Sequence, residues 1–143
     1  MKDIWGRRLF KAGAIWLVLL ALVHSISLFT KPTPGDETEK QLLYLMSNYK
    51  FNVMGSIRSM SDFLRGFSMA FGLAALGFGV LDLLISREQA GLLKKAALLN
   101  TLWLAAMTGT SLRYFFAVPT TFLGVALLIF ACAWMKLPAN ETP

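Results

Sequence analysis

Cysteine and histidine are nearly absent from this sequence of 143 residues, which has one of each, Cys132 and His24. A single cysteine excludes a disulfide within the chain and a CxxC redox pair. A closed zinc site usually takes four cysteine or histidine ligands, which one chain of this composition does not supply. A glycine-rich phosphate loop, an HExxH helix and a GxSxG nucleophile motif are also missing. The sequence therefore predicts no metal and no other cofactor.

Charged residues are also scarce, at 15% of the chain, where soluble domains carry about 25%. Hydrophobic residues make up 56%, and the mean hydropathy is +0.58. Because the apolar residues are concentrated in long runs, the sequence predicts a polytopic membrane protein. The net charge of +6 is interpreted as lysine and arginine flanking the membrane spans. There is no basic patch or motif typical of nucleic-acid binding, so no nucleic-acid partner is expected.

The apolar runs predict an all-α fold, a single four-helix transmembrane bundle over residues 1–143. The predicted spans are residues 9–29, 63–85, 96–112 and 115–137. Residues 40–62 have leucine, methionine and tyrosine at steps of three and four, which predicts an amphipathic outer helix between the first two spans. This segment is too polar to span, so it either lies along the membrane surface or extends the second span.

Basic residues before the first span and at the end of the fourth predict that both termini are cytoplasmic. The layout suggests the inner membrane of a bacterium. The uncharged run over residues 12–29 is longer than the 7–15 residues of a signal-peptide core, so the first helix is expected to remain in the mature protein.

The predicted topology places polar residues in two layers. Arg58, Asp62 and Arg65 follow an i, i+4, i+7 spacing, which predicts one charged helix face on which Asp62 pairs with an arginine. Spare positive charge in this layer would suit a carboxylate, a phosphate or an anionic headgroup. The candidate site residues are the acid–base pair His24 and Asp62, with Arg58, Arg65, Arg113 and Ser27 as ligand-binding residues. The alternative interpretation is structural, with the arginines extending to lipid headgroups and His24 making one hydrogen bond between helices.

The inner layer contains Asp82 and Asn100, which are expected to meet at similar depth on antiparallel helices. Such a pair either joins helices or relays a proton. Small residues at four-residue spacing, Ser68 with Gly72 and Ala75 with Gly79, predict close helix packing in the second span.

The layout resembles that of small four-helix integral membrane proteins of bacteria, DoxX-like proteins among them. The resemblance is carried by the first helix with His24, the block MGSIRSMSDFLRGFSMAFGL from Met54 to Leu73, and the fourth helix with its brief tail. It implies the architecture, and DoxX-like proteins are linked to quinone or thiol redox chemistry.

Three functions follow from these observations. The first is a small membrane protein that binds a lipid or a partner through its outer polar layer. The second is a membrane enzyme or carrier for a small anionic amphiphile, and the third is a pore or proton path through Asp82 and Asn100. The expected partners are membrane lipids, together with a second copy of the chain or another membrane protein.

Overall fold

The computed structural model describes residues 2–30 and 32–139. In these ranges the chain is 79% helical and forms five helices and one two-stranded hairpin. The elements are α1 (Lys2–Ser27), α2 (Glu37–Asn48), β1 (Phe51–Val53), β2 (Ser56–Arg58), α3 (Met60–Ile85), α4 (Ala90–Tyr114) and α5 (Ala117–Lys136). The predicted tail is described as far as Ala139, and residues 140–143 lie outside the described part.

Three of the described helices, α1, α3 and α5, are long and apolar enough to cross a membrane. Only 33%, 22% and 22% of their most apolar windows are buried inside the protein. Most of their apolar side chains therefore face outward, as expected when lipid is the solvent. The predicted all-α class is thus confirmed, and the described residues include three candidate membrane spans.

The predicted third span over residues 96–112 is not among these helices. At 25 residues, α4 is long enough, since a helix rises about 1.5 Å per residue. Its hydropathy is lowered by one asparagine and several hydroxyl side chains, Asn100, Thr101, Thr108, Thr110 and Ser111.

The contacts divide the chain into two compact units, and the first contains residues up to Leu20 and from Ala75 onward. In this unit α4 packs along α5. The Phe10 ring meets Phe130 edge-on with centroids 5.6 Å apart, and both rings are fully buried. Trp16 stacks on Phe122 and donates its indole N–H to the Phe122 carbonyl at 3.0 Å. These aromatic contacts place the core of the unit between α1 and α5.

Close approach of α1 and α3 depends on Gly79. A Cβ atom there would lie 2.8 Å from Val18 Cγ2 and 3.0 Å from both the Ala14 carbonyl oxygen and the Val18 nitrogen. Ala75, one turn earlier on α3, is fully buried. The prediction of small-residue packing around Ala75 and Gly79 is therefore confirmed.

The second unit, Ala21–Ala74, contains the end of α1, α2, the hairpin and the first half of α3. α2 begins after Asp36, whose carboxylate accepts the Glu39 N–H at 2.7 Å as an N-cap. The hairpin turns at Met54 and Gly55, with φ of 50° and 87°. Two central residues of positive φ are typical of a type I′ turn. The Asn52 side chain accepts the Gly55 N–H at 2.9 Å and supports this turn.

The predicted amphipathic helix over residues 40–62 is thus wrong in extent. Helix α2 ends at Asn48, and the hairpin occupies residues 51–58. The hairpin turn and a new helix start after Ser59 interrupt what the spacing of apolar residues had suggested to be one helix. The second span is correspondingly longer than residues 63–85, because α3 begins at Met60.

Candidate functional site

The start of α3 is built around reciprocal hydrogen bonds between Ser59 and Asp62. The Asp62 carboxylate accepts the Ser59 N–H at 2.8 Å, and the Ser59 hydroxyl accepts the Asp62 N–H at 3.2 Å. This is a capping box, in which two backbone donors at a helix start are satisfied by two side chains. Its sequence signal, Ser-x-x-Asp before an apolar run, is present in the chain, although the spacing of Arg58, Asp62 and Arg65 also suits one charged helix face.

The ion pair of Asp62 is with Lys50, whose Nζ lies 3.3 Å from Asp62 Oδ2. The predicted pairing of Asp62 with Arg58 or Arg65 on one helix face is wrong, because Arg58 belongs to β2 rather than to α3. The Arg58 guanidinium donates to the Ile57 carbonyl at 2.8 Å. Both Arg58 and Arg65 have exposed side chains. The Asp62 carboxylate is therefore occupied in holding the hairpin against α3, while two arginines remain open to solvent or lipid.

Four rings form a stacked row, here called the aromatic column (Tyr49, Phe51, Phe63, Phe67). Successive ring centroids are 6.4, 5.7 and 6.5 Å apart, with interplanar angles of 29°, 13° and 27°. The column begins after α2, passes through β1 and continues down α3. Sequence reasoning missed it, because the contact between Phe51 and Phe63 exists only when the hairpin folds back on α3. The i, i+4 spacing of Phe63 and Phe67 was the one local signal.

Basic residues accompany this column. Lys50 lies between Tyr49 and Phe51 in sequence, and Arg58 is the antiparallel partner of Phe51 in the hairpin. Arg65 lies between Phe63 and Phe67 in the sequence of α3, at a spacing that places it on another side of the helix from these rings. The segment thus combines cations with flat apolar rings, a composition typical of membrane interfaces.

The segment before α3 also exposes much apolar surface. Helix α2 has no buried residue, and it is linked to α3 by a hydrogen bond between the Ser47 and Ser61 hydroxyls at 3.1 Å. Exposed apolar side chains in this region are Leu42, Tyr44, Leu45, Tyr49, Met54 and Ile57. Apolar groups exposed in such density mark a surface that meets lipid or another protein.

His24 lies near the end of α1 and contacts α3. Its Nε2 is 3.1 Å from the Ser68 carbonyl oxygen, so this nitrogen carries the hydrogen and donates it. The ring meets Phe71 edge-on at 4.9 Å. A Cβ atom at Gly72 would lie 3.5 Å from His24 Cδ2, so the ring packs directly against the backbone there.

The proposed acid–base pair is not joined in the structure. Among the described residues no hydrogen bond or ion pair links His24 to Asp62. The Ser27 hydroxyl donates to the His24 carbonyl at 2.6 Å, which is a helix-end contact. Arg113 lies in the last turn of α4, in the first unit, and its side chain is exposed.

The expected meeting of Asp82 and Asn100 is confirmed. Asn100 Nδ2 donates to Asp82 Oδ2 at 2.8 Å, and each residue is only 3% exposed. One turn away, Phe78 of α3 stacks on Trp103 of α4 with centroids 4.7 Å apart. The second amide atom, Asn100 Oδ1, is buried and has no partner among the described residues. The pair therefore joins α3 to α4 inside the apolar part of the first unit.

Comparisons with known proteins leave the function to be argued from these residues. No protein-family model, curated protein or solved structure matches the chain.

Proposed function

We propose that this protein is a small integral membrane protein that binds anionic lipid headgroups through the cationic and aromatic segment that precedes α3. The observation that carries the proposal is the exposure of two arginine side chains near the start of α3, Arg58 as the strand partner of Phe51 and Arg65 just before the uncharged part of the helix. Arginine offers a planar fork of donors that matches phosphate oxygens. Charge-assisted hydrogen bonds of this kind are about twice as strong as neutral ones.

The charge pattern of α3 supports the proposal that Arg58 and Arg65 lie at the depth of the lipid headgroups. Residues 66–81 are uncharged, with Arg65 before them and Asp82 after them. The hydrocarbon core of a bilayer is about 30 Å thick, which corresponds to about 20 helical residues. Arg65 therefore lies near one boundary of the core when α3 spans it, and Arg58 precedes it on the same side.

We further propose that α4 is a fourth span, so that both termini lie on one side. Two contacts within the first unit support this arrangement. Arg7 of α1 donates to the Glu88 carbonyl at 2.6 Å, and Lys94 of α4 donates to the Leu137 carbonyl at 2.8 Å. The start of α1, the connection between α3 and α4 and the end of α5 thus share one end of the unit. Since α5 crosses the membrane to reach that end, α4 has to cross in the opposite direction.

The polar residues of α4 are compatible with such a crossing, because most of them are hydrogen-bonded. Thr101 donates to the Ala97 carbonyl at 2.7 Å, and Thr110 donates to the Ala106 carbonyl at 3.0 Å. The hydroxyl of Ser111 is 2.7 Å from that of Thr120 on α5. A helix with hydroxyl side chains can cross lipid when its polar groups are hydrogen-bonded within the protein. The basic residues at the shared end favour a cytoplasmic location for that end, because basic loops lie on the cytoplasmic side. We therefore propose that both termini are cytoplasmic and that the protein lies in the bacterial inner membrane.

Native mass spectrometry of the full chain with added phosphatidylglycerol or phosphatidylcholine tests the lipid proposal. The wild-type protein should retain phosphatidylglycerol preferentially, and the double variant Arg58→Gln with Arg65→Gln should weaken this retention by about tenfold or more, which corresponds to about 1.4 kcal/mol. The matched control removes two charges elsewhere, with Arg87→Gln and Lys95→Gln. Equal loss in both double variants, or full retention in the first, would show that the segment before α3 is not the binding site.

The alternative is a membrane enzyme or carrier in which His24 and Asp62 act on an anionic amphiphile held by Arg58, Arg65 and Arg113. In the described structure Asp62 is bonded to Ser59 and Lys50, and His24 is bonded to Ser68. Both side chains have structural partners, so lipid binding is the function that we favour.

A further inference from the structure

The tip of the hairpin combines an unfavourable backbone with an exposed apolar side chain. Met54 has a φ of 50°, and its side chain is 99% exposed. Positions of positive φ in tight turns normally take glycine, asparagine or aspartate. Burial within the described chain therefore does not account for a methionine at this position, and strained backbone positions cluster at functional sites.

The charge pattern of the hairpin has the form of an insertion loop. Residues 51–57 carry no charge and are bracketed by Lys50 and Arg58. The strand residues Val53 and Ile57 also have exposed apolar side chains, at 37% and 65% exposure. Cations at the base and apolar groups at the tip match the order of phosphates and acyl chains in a leaflet.

The attachment of the hairpin to α3 brings it to the membrane. A single residue, Ser59, separates β2 from α3, which is a candidate span. Phe51 stacks on Phe63 of α3 at 5.7 Å with an interplanar angle of 13°. The aromatic column then continues to Phe67, where the uncharged part of α3 has begun. The base of the hairpin is therefore held beside the first turns of α3, a candidate span.

We propose that the hairpin tip, residues 53–57, inserts Met54 and Ile57 into the leaflet at the start of α3. The occupant of this surface is lipid, rather than a second copy of the chain or another protein. The inference needs α3 to cross a bilayer, but it does not need Arg58 and Arg65 to bind an anionic lipid. Insertion is thus expected in vesicles of phosphatidylcholine alone, so its failure is distinguishable from failure of the lipid-binding proposal.

Site-directed fluorescence on the full chain in phosphatidylcholine vesicles tests this proposal. In a Cys132→Ala background, Met54→Cys is labelled with the fluorophore NBD, and Thr38→Cys on exposed α2 is the matched control. Label at position 54 should be quenched by lipid that carries a doxyl group near the top of the acyl chain. Its quenching by aqueous iodide should be about fivefold weaker than at position 38, since water is scarce at that depth. Both sites lie on the same side of the membrane, so the ratio does not depend on protein orientation.

Two results would overturn the proposal. Strong iodide quenching at position 54 together with no quenching by doxyl lipid would place the tip in water. Protection from both iodide and doxyl lipid would place it against protein, either a second copy or a partner. Ile57→Cys, labelled in the same way, repeats the measurement if Met54→Cys fails to fold, as judged by circular dichroism.

Discussion

Replacing Gly79 by alanine is expected to force α1 and α3 apart, whereas the same replacement at Gly77 is not. An alanine Cβ atom at position 79 would lie 2.8 Å from Val18 Cγ2 and 3.0 Å from two backbone atoms, the Ala14 oxygen and the Val18 nitrogen. At position 77 nothing lies within 4 Å. The two glycines are two residues apart on one helix, so they form a matched pair for this experiment.

The magnitude follows from the geometry. Ordinary van der Waals contact begins at 3.4 Å, so the helices have to separate by about 0.5 Å, and overpacking of this kind costs about 1–3 kcal/mol. The valine side chain can turn away, but the two backbone atoms cannot. Glycine-to-alanine replacement also favours a helix by up to about 1 kcal/mol. This gain in helix propensity is common to both variants. The difference between their free energies of unfolding therefore measures the contact between α1 and α3.

Unfolding in mixed detergent and dodecyl sulfate, followed by tryptophan fluorescence, measures the free energies of both variants. Gly77→Ala should be equal to the wild type or slightly more stable, and Gly79→Ala should be less stable than Gly77→Ala by about 1–3 kcal/mol. Adding Val18→Ala should restore part of the loss at Gly79, because it removes one of the three clashes. Equal stabilities of the two alanine variants would refute the packing of α3 on α1 through Gly79.

Four further variants test three other contacts. Ser59→Ala should cost about 1 kcal/mol by removing half of the capping box, and hydrogen exchange should accelerate in the first turn of α3; unchanged exchange would show that Asp62 alone holds the helix start. Asn100→Leu should lower the free energy of unfolding by about 1–3 kcal/mol, because it leaves the buried Asp82 carboxyl without its hydrogen-bond donor. Asp82→Asn keeps a hydrogen-bonding group and should lower it by less. If unfolding in detergent gives the reverse order, the pairing of Asp82 with Asn100 is contradicted. His24→Leu should lower stability by about 0.6–1.7 kcal/mol, the range for hydrogen bonds between membrane helices, and an unshifted unfolding midpoint would mean that its bond to the Ser68 carbonyl contributes nothing.

The parts of the fold that could be predicted from sequence depend on local patterns. The apolar runs of α1, α3 and α5 are long enough to indicate spans without knowledge of their neighbours. The meeting of Asp82 and Asn100 was also predictable, because a short connection makes adjacent helices antiparallel and places the two residues at similar depth.

The hairpin was not predictable in this way. The apolar residues in this segment recur at steps that also suit a helix. The turn at Met54 and Gly55 and the capping box at Ser59 favour the hairpin over a continuous helix. Once Arg58 lies on a strand, the charged helix face no longer exists, and Asp62 takes Lys50 as its partner. The proposed site therefore retains Arg58 and Arg65, whereas Arg113 lies in the first unit and no hydrogen bond or ion pair among the described residues joins His24 to Asp62.

The sequence by itself determined that this chain has helices long and apolar enough to span a membrane, because hydropathy is summed over residues that are adjacent in the chain. Tertiary structure decided that Gly79, and not Gly77, contacts α1. It also decided that Lys50 is the cation paired with Asp62 and that four aromatic rings stack in a column that includes residues of α3. Each of these depends on residues distant in sequence, whose separation in space is set only when the helices and the hairpin pack together.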